Sequence, residues 1–482
     1  MEQALNRTTA GTGEAPPVKI LQFGEGNFLR AFVDWMIDIL NEQTSFSGAI
    51  EVIQPIPHGR VDTLNQQEGL YHVLLEGIRK GKPHAERRLI TSVKGGLNPY
   101  EDYKGYLQLA ENPGLEFIVS NTTEAGIAFD NTDTSADTIP NSFPGKLTAL
   151  LYHRFTHFQG APSKAPVIVP CELIDRNGDK LKQYVLQYAD LWDTDPAFHS
   201  WIKQHCIFCN TLVDRIVPGY PEEKADSIQK EMGYNDQLIV AGEYFHLWVI
   251  EGPSHIQKQL PFQEAGLNVL FVDDLTPYRT RKVRILNGLH TSMVPVGYLN
   301  GNRTVKQAVD DEVLGPFLEK ELFEEIIPTL DLPEEELSDF AHDILDRFRN
   351  PFIKHELSAI ALNSISKYKV RVLPSLLKYH ELHDTLPDRL VFALAAMICF
   401  YRGEWEGDKM PLNDSEEVIA FIQKAWRKKD IRDTVQMVLG NKSFWGQDLN
   451  DIQGLTQKIT ASVMEIQQNG ITSTLQKAEL WG

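Results

Sequence analysis

The stretch from Val18 to Ile56 constrains the fold more than any other part of the chain. VKILQFG is a short apolar run that stops at glycine, and a helix-like segment, NFLRAFVDWMIDIL, begins just beyond it. Phe28, Phe32, Trp35 and Ile39 stand at offsets 0, 4, 7 and 11 and so share one face of an α-helix. A polar linker then leads to a second apolar run, GAIEVIQPI. Strand, glycine turn, helix and strand within about 40 residues make a βαβ unit, and such a crossover joins parallel strands.

The alternation continues downstream. LEFIVSN (115–121), APVIVPCEL (165–173), CIFCNTLV (206–213), QLIVAG (237–242) and LNVLFVDD (267–274) are strand candidates, with helical stretches at 103–111 and 144–156. An open, mostly parallel α/β sheet that binds ligands at the carboxyl ends of its strands is expected. After about residue 276 the strand-like runs thin out, and GPFLEKELFEEIIPTL, ELSDFAHDILDRF and DRLVFALAAMICFYRG have helical spacing. A chain of 482 residues exceeds what one hydrophobic core usually serves. The expected fold class is therefore α/β plus all-α, with a Rossmann-like domain over 18–277 and a helical domain over 278–482. The polar start, MEQALNRTTAGTGEAPP, lacks the apolar core of a secretory signal and reads as a flexible leader over 1–17.

Charge narrows the partners. The chain carries 66 acidic and 47 basic residues, a formal charge of −19, which disfavours attraction to nucleic acid or anionic lipid. No apolar run approaches the roughly 20 residues that span a bilayer, so a cytoplasmic protein acting on a small molecule is expected. An anionic substrate would need a local cationic pocket working against the global field. Cys206 and Cys209 form a CxxC, which a redox pair or half a zinc site would use, but no second pair accompanies it. Small buried residues on a strand are the plainer reading, and no metal is expected.

The turn itself reads ILQFGEGNFLRA, Ile20 to Ala31. Gly24 and Gly26 supply the GxG of a dinucleotide fingerprint: the first permits the tight turn, and the second lets backbone approach a pyrophosphate. The third glycine position holds Leu29, and the second strand ends at Gln54-Pro55, where a ribose-binding acid would ordinarily stand. Dinucleotide binding and a merely tight strand–helix turn both fit such a partial fingerprint. His58 and Arg60, just beyond, would suit a 2′-phosphate.

A second constellation opens the helical half, in RKVRILNGLHTSMVP. On an α-helix, positions 282, 287 and 290 fall at about 0°, 140° and 80°, so Lys282, Asn287 and His290 share one sector facing an interdomain cleft. Reducing a ketone builds negative charge on oxygen, which calls for a proton donor and oriented hydrogen bonds. Lys282 can give that proton, while Asn287 and His290 can hold the oxygen and a neighbouring hydroxyl. A solvated lysine, a capping asparagine and a packed histidine would give the same residue pattern.

Taken together, GxG followed by Arg30-Ala31, the spacing of Lys282, Asn287 and His290, FCNTLVDRIVP (208–218) and NTTEAG (121–126) resemble the mannitol dehydrogenase family of polyol-specific long-chain dehydrogenases. The resemblance spans residues 18–482. It implies NAD-linked, zinc-independent chemistry and, in the sugar-acid branch of the family, reduction of the keto group of a hexuronate. Lys282 then becomes the general acid/base, with Asn287 and His290 as oxygen-binding partners. Ile20, Leu21, Gln22, Phe23, Gly24, Glu25, Gly26, Asn27, Phe28, Leu29, Arg30 and Ala31 become the nucleotide-binding turn, and Glu124 lies near the cofactor. PCEL (170–173) departs from the family by placing Leu173 where polyol-oxidising members carry asparagine. The substrate carboxylate needs a cation, and Arg347, Lys354 and His355 in DRFRNPFIKH are the candidates. Asp214 and Arg215 read as structural. A dehydrogenase of neutral or phosphorylated hexitols and a catalytically silent dinucleotide sensor are the competing readings.

Overall fold

A computed structural model describes residues 3–79, 81–123 and 125–478. The chain divides into two compact units, Met1–Gly77 with His84–Leu275, and Ile78–Pro83 with Thr276–Gly482.

The first unit is built on six strands: β1 (Val18–Phe23), β2 (Ala49–Ile53), β3 (Val93–Leu97), β4 (Phe117–Ser120), β5 (Val167–Pro170) and β6 (Ile207–Phe208). Their spatial order is β3-β2-β1-β4-β5-β6, and all five pairings are parallel. This is the doubly wound order, whose ligand crevice opens where the order reverses, between β1 and β4. Alternate residues feed two cores. Ile20, Val52, Phe117, Val119, Val167 and Val169 enter one, while Leu21, Phe23, Ile53, Ile118 and Ile168 enter the other. Burial on both faces explains why these strands read as unbroken apolar runs.

Several strands escape a reading by hydrophobicity. In β3 the sequence VKGGL contains two glycines, and a Cβ on Gly96 would stand 3.0 Å from the Val52 carbonyl, so close backbone approach takes the place of side-chain packing. Tyr71–Arg79, Lys82–Ile90 and Val240–Glu243 form a separate three-stranded sheet. CIFCNTLV is not one strand. It breaks at Cys209, β6 staying with the main sheet while Asn210–Asp214 pairs antiparallel with Leu247–Glu251.

Two further expectations need correction. The expected loose leader is docked over residues 3–17: Gln3–Ala4 pairs with Tyr234–Asn235, Leu5 is buried, and Asn6 caps a helical turn with a reciprocal capping box. Arg7 fixes the segment by donating to the carbonyls of Gly13 at 2.6 Å and Val93 at 3.0 Å. Polarity without apolar periodicity concealed an anchor made of hydrogen bonds. The helix after the glycine turn is also interrupted, into α1 (Asn27–Arg30) and α2 (Val33–Gln43). At the break, the Ala31 carbonyl accepts from the Arg215 guanidinium at 2.6 Å.

The second unit is helical. Its central helix, Asp388–Phe400, buries every residue from Arg389 to Phe400, as a helix apolar all round must. Glu325 accepts the backbone N–H groups of Arg389 and Leu390 at 2.9 Å each and so caps that helix. Against it packs α4 (Leu289–Leu299), itself buried along most of its length. α4 continues α3 (Thr276–Lys282) through a π-helical turn at Val283–Gly288. No helix among the described residues is long and apolar enough to cross a membrane.

The turn at the switch point has little latitude. Gly24 sits at φ +120°, and a Cβ there would stand 3.0 Å from the Asn121 carbonyl, just past β4. Replacing Gly24 with alanine is therefore expected to cost about 1–3 kcal/mol through backbone strain. A lowered melting temperature by circular dichroism, against no change in Gly13→Ala, checks this.

Candidate active site

Of the twelve residues from Ile20 to Ala31, only Glu25, Gly26, Asn27 and Phe28 reach the surface. The others hold the turn from beneath. Gln22 donates to the Gly24 carbonyl at 3.1 Å. Buried Arg30 donates to the Glu25 carbonyl at 3.1 Å, to Asn27 Oδ1 at 2.7 Å and to the Leu238 carbonyl. Its guanidinium thus braces the turn from within the fold and does not face a ligand. Gly26 caps α1, and no atom lies within 4 Å of where its Cβ would be. The space over Gly26 is open, as close backbone approach by a pyrophosphate demands. Because α1 is only four residues long, its dipole is small, and a ligand there would rely on the backbone amides of the turn.

Next to this turn, at the end of β4, buried Glu172 accepts from Ser120 Oγ, Thr122 N and Thr122 Oγ1, each at 3.0 Å. Thr123 takes φ +77° just beyond. Glu124 lies outside the described residues. Leu173 is 61% exposed, so an apolar side chain meets solvent where polyol-oxidising relatives were expected to place asparagine. Arg215 donates to the carbonyls of Phe245, Ala31 and Tyr244 and stacks over Trp35 at 4.2 Å, a purely structural pin. Cys206 and Cys209 are free, buried thiols, and burial pushes Cys209 up to about 12. Among the described residues no group of His, Cys, Asp and Glu could hold a metal ion.

In the helical unit the π turn changes the geometry expected of Lys282, Asn287 and His290. An i→i+5 turn packs more residues per revolution than an α turn. Residues five apart, such as Lys282 and Asn287, are thereby brought toward one line along the helix. The expected spread of about 140° on a regular α-helix narrows. The Asn287 carbonyl accepts the Thr291 hydroxyl at 2.7 Å. Gly288 is where the end of α5 (Ser364–Arg371) arrives: a Cβ there would lie 3.2 Å from the Arg371 carbonyl. Arg281 does not crowd Lys282 as an unpaired charge, because it pairs with Glu336 at 2.5 Å and stacks over Phe340 at 4.3 Å.

His290 is the centre of the second constellation. Its ring is buried, stacked on Phe348 at 4.1 Å and 20°, and meets the His355 ring edge-on at 4.9 Å. Nε2 is buried without a hydrogen-bond partner. Burial holds the ring well below the ordinary histidine range, reinforced by His355, Arg347, Arg371 and Lys367. His290 is therefore a neutral ring beside a second ring, His355, also lowered by burial, and among the cations Arg347, Lys367 and Arg371. Of the expected carboxylate-binding set, the structure brings Arg347 and His355 to this group. Lys354 stands 80% exposed and pairs with Glu356 at 2.7 Å, which makes it a solvated surface charge. Lys367 and Arg371 were missed. They stand one turn apart on α5, and their i,i+4 spacing in SKYKVR was the available signal.

The doubly wound sheet, the glycine turn at its switch point and the helical second unit define the class, a dinucleotide-dependent oxidoreductase acting on CH–OH groups. The mannitol dehydrogenase Rossmann domain matches residues 18–264, and the mannitol dehydrogenase C-terminal domain matches residues 274–467. The chain belongs to the mannitol dehydrogenase family. It is 47% identical over 479 residues to the altronate oxidoreductase of Yersinia enterocolitica, covering 98% of this chain and 99% of that one. The altronate oxidoreductase of Bacillus subtilis is 46% identical, with 98% of each chain covered. A crystal structure of D-sorbitol dehydrogenase shares the fold at a TM-score of 0.81 and 23% identity, over 98% of this chain and 100% of that one. Mannitol 2-dehydrogenase of Pseudomonas fluorescens, in a ternary complex with NAD and D-mannitol, superposes at a TM-score of 0.62 and 22% identity, with 100% and 97% covered.

The depressed pKa of His290 has a consequence for stability. The folded ring resists a proton that the unfolded chain accepts near pH 6.5. Its contribution is complete above that value and is lost progressively as pH falls from it toward the lower folded value. The melting temperature is expected to drop on acidification below about pH 6.5, and to drop less steeply in His290→Gln, as differential scanning fluorimetry across pH 5–8 would show.

Proposed function

We propose that this enzyme reduces a ketohexuronate with NADH, taking D-tagaturonate to D-altronate, and that Lys282 is its general acid. The observation that carries this reading is the neutral, buried His290 with an unpartnered Nε2, surrounded by Arg347, His355, Lys367 and Arg371. A polar group stripped of water and left without a partner is costly unless a ligand completes it. The surrounding cations select a ligand that is both hydroxylated and anionic, which describes a sugar acid. The names of relatives near 46% identity along the whole chain support the same substrate.

When bound at the glycine turn, NADH supplies the hydride. Negative charge then develops on the ketone oxygen, and the protein's task is to meet it. Lys282 donates the proton that converts that oxygen to a hydroxyl. Asn287 donates through its amide, and the neutral His290 ring hydrogen-bonds the oxygen or the adjacent hydroxyl. Phe348 fixes the plane of that ring, so its orientation is set before substrate arrives. In the reverse direction the neutral lysine amine takes the proton back. Arg371 and Arg347 bind the carboxylate, for which guanidinium is geometrically suited. The four buried free thiols suit a reducing compartment, and we place the enzyme in the cytoplasm.

The same cations would also accept a phosphate, so a hexitol-phosphate dehydrogenase is the second reading. NADH oxidation with tagaturonate, fructuronate, fructose and fructose 6-phosphate side by side separates the two. A preference for the phosphorylated or neutral ketose would overturn the uronate assignment.

Lys282→Ala is expected to abolish turnover while NADH fluorescence titration still reports binding; retained activity would remove Lys282 from the mechanism. Losing one charge-assisted contact of roughly 1.5–3 kcal/mol in Arg371→Ala should raise the KM for the uronate roughly 10- to 100-fold. The same variant should change the KM for a neutral ketose far less.

A further inference from the structure

In a doubly wound sheet the adenosine ribose crosses the carboxyl ends of the first two strands, where an acid at the end of the second ordinarily accepts its hydroxyls. Here Gln54 directly follows β2, and it is buried and occupied by its own loop. Its Nε2 donates to the Ile56 carbonyl at 3.0 Å and the Pro57 carbonyl at 3.2 Å. Gln54 Oε1 receives Val61 N at 3.4 Å. It offers nothing to a ribose.

The carboxylate at this place comes from the other side. Glu25, between the two glycines of the turn, reaches across to the 54–60 loop, where its Oε1 receives the backbone N–H of Arg60 at 3.4 Å. Oε2 has no partner and is covered. Burial raises the pKa of this carboxylate, against the pull of the backbone N–H groups of Glu25 itself and of Arg60 and of the Arg30 and Arg60 charges. The loop is shaped to seat it: a Cβ on Gly59 would stand 2.1 Å from Glu25 Oε1 and 2.4 Å from Gln54 Oε1. Any side chain at 59 would evict the carboxylate.

We infer that Glu25 is the carboxylate that accepts the adenosine ribose hydroxyls and sets the preference for NAD over NADP, standing in for the acid absent from β2. This rests on the dinucleotide reading of the glycine turn. A ribose diol brings the two O–H donors that the carboxylate lacks, and rotation about the last side-chain bonds of Glu25 presents its oxygens to them. A 2′-phosphate at the same place meets a like charge. His58 and Arg60 are exposed, and Glu25 opposes the attraction they would exert on that phosphate.

The test uses the full chain, with NADH and NADPH titrated by fluorescence and kcat/KM measured for each. Wild type is expected to favour NADH. Glu25→Gln is expected to lower kcat/KM for NADH roughly 10- to 100-fold, the loss of a hydrogen bond to a charged group, and to leave NADPH unchanged or improved. Gly59→Ala, whose methyl displaces the carboxylate without altering charge, is expected to move the preference in the same direction, its folding checked by melting temperature. An NADH:NADPH preference in Glu25→Gln equal to that of wild type would overturn the inference, as would a wild-type preference for NADPH. Failure of wild type to bind either dinucleotide would instead overturn the reading of the turn.

Discussion

The first unit depends on one close approach of backbone to backbone. β1 is paired in parallel on both sides, so its exit must turn between the loops that follow β2 and β4. At that exit a Cβ on Gly24 would lie 3.0 Å from the Asn121 carbonyl, and Gly24 N donates to the Ile53 carbonyl at 3.0 Å. The turn is thereby held by both neighbouring strands at the point where the sheet order reverses. Gln22 and Arg30 fasten it from below, and Arg215 pins the following Ala31 carbonyl. The surface left open, Glu25 to Phe28, is what this bracing leaves over for a ligand.

A comparable economy governs the helical unit. One π turn at Val283–Gly288 changes the phase between Lys282 and His290, and Gly288 lets the end of α5 approach the same turn. The two features act together. The first aligns polar side chains along one helix, and the second brings Lys367 and Arg371 to them from another. A π turn leaves backbone carbonyls poorly matched, and the Thr291 hydroxyl takes up the one at Asn287. Packing of α4 against a helix buried on every side keeps the arrangement from relaxing.

Much of this was legible in the chain, for physical reasons that also explain what was not. The doubly buried strands announce themselves as apolar runs, and the glycine turn by its position between strand and helix. β3 does not, because its glycines replace side-chain packing with backbone proximity. The docked leader does not, because hydrogen bonds from Arg7 and Asn6 have no hydrophobic period. Lys282, Asn287 and His290 stand close together in the sequence, yet their phase was hidden, since a π turn has no signature in spacing alone. Arg347, Lys354 and His355 were chosen by proximity in sequence. Lys354 points to solvent, and Lys367 and Arg371 reach the His290 group from a helix that only tertiary packing brings near.

The charge of the whole molecule and the charge of this site have opposite sign, and distance decides between them. At physiological ionic strength the screening length is about 8 Å, so most of the 66 acidic residues act weakly on a ligand at His290. Arg347, Arg371 and Lys367 act on the His290 ring in a partly buried setting, where screening is weaker. Burial and the neighbouring guanidinium groups lower the pKa of His355 and Lys367 as well as that of His290. A carboxylate bound among these groups, as proposed, would relieve their mutual repulsion and raise the pKa of the ring beside it. The neutral His290 adds no charge of its own to the repulsion among Arg347, Lys367 and Arg371.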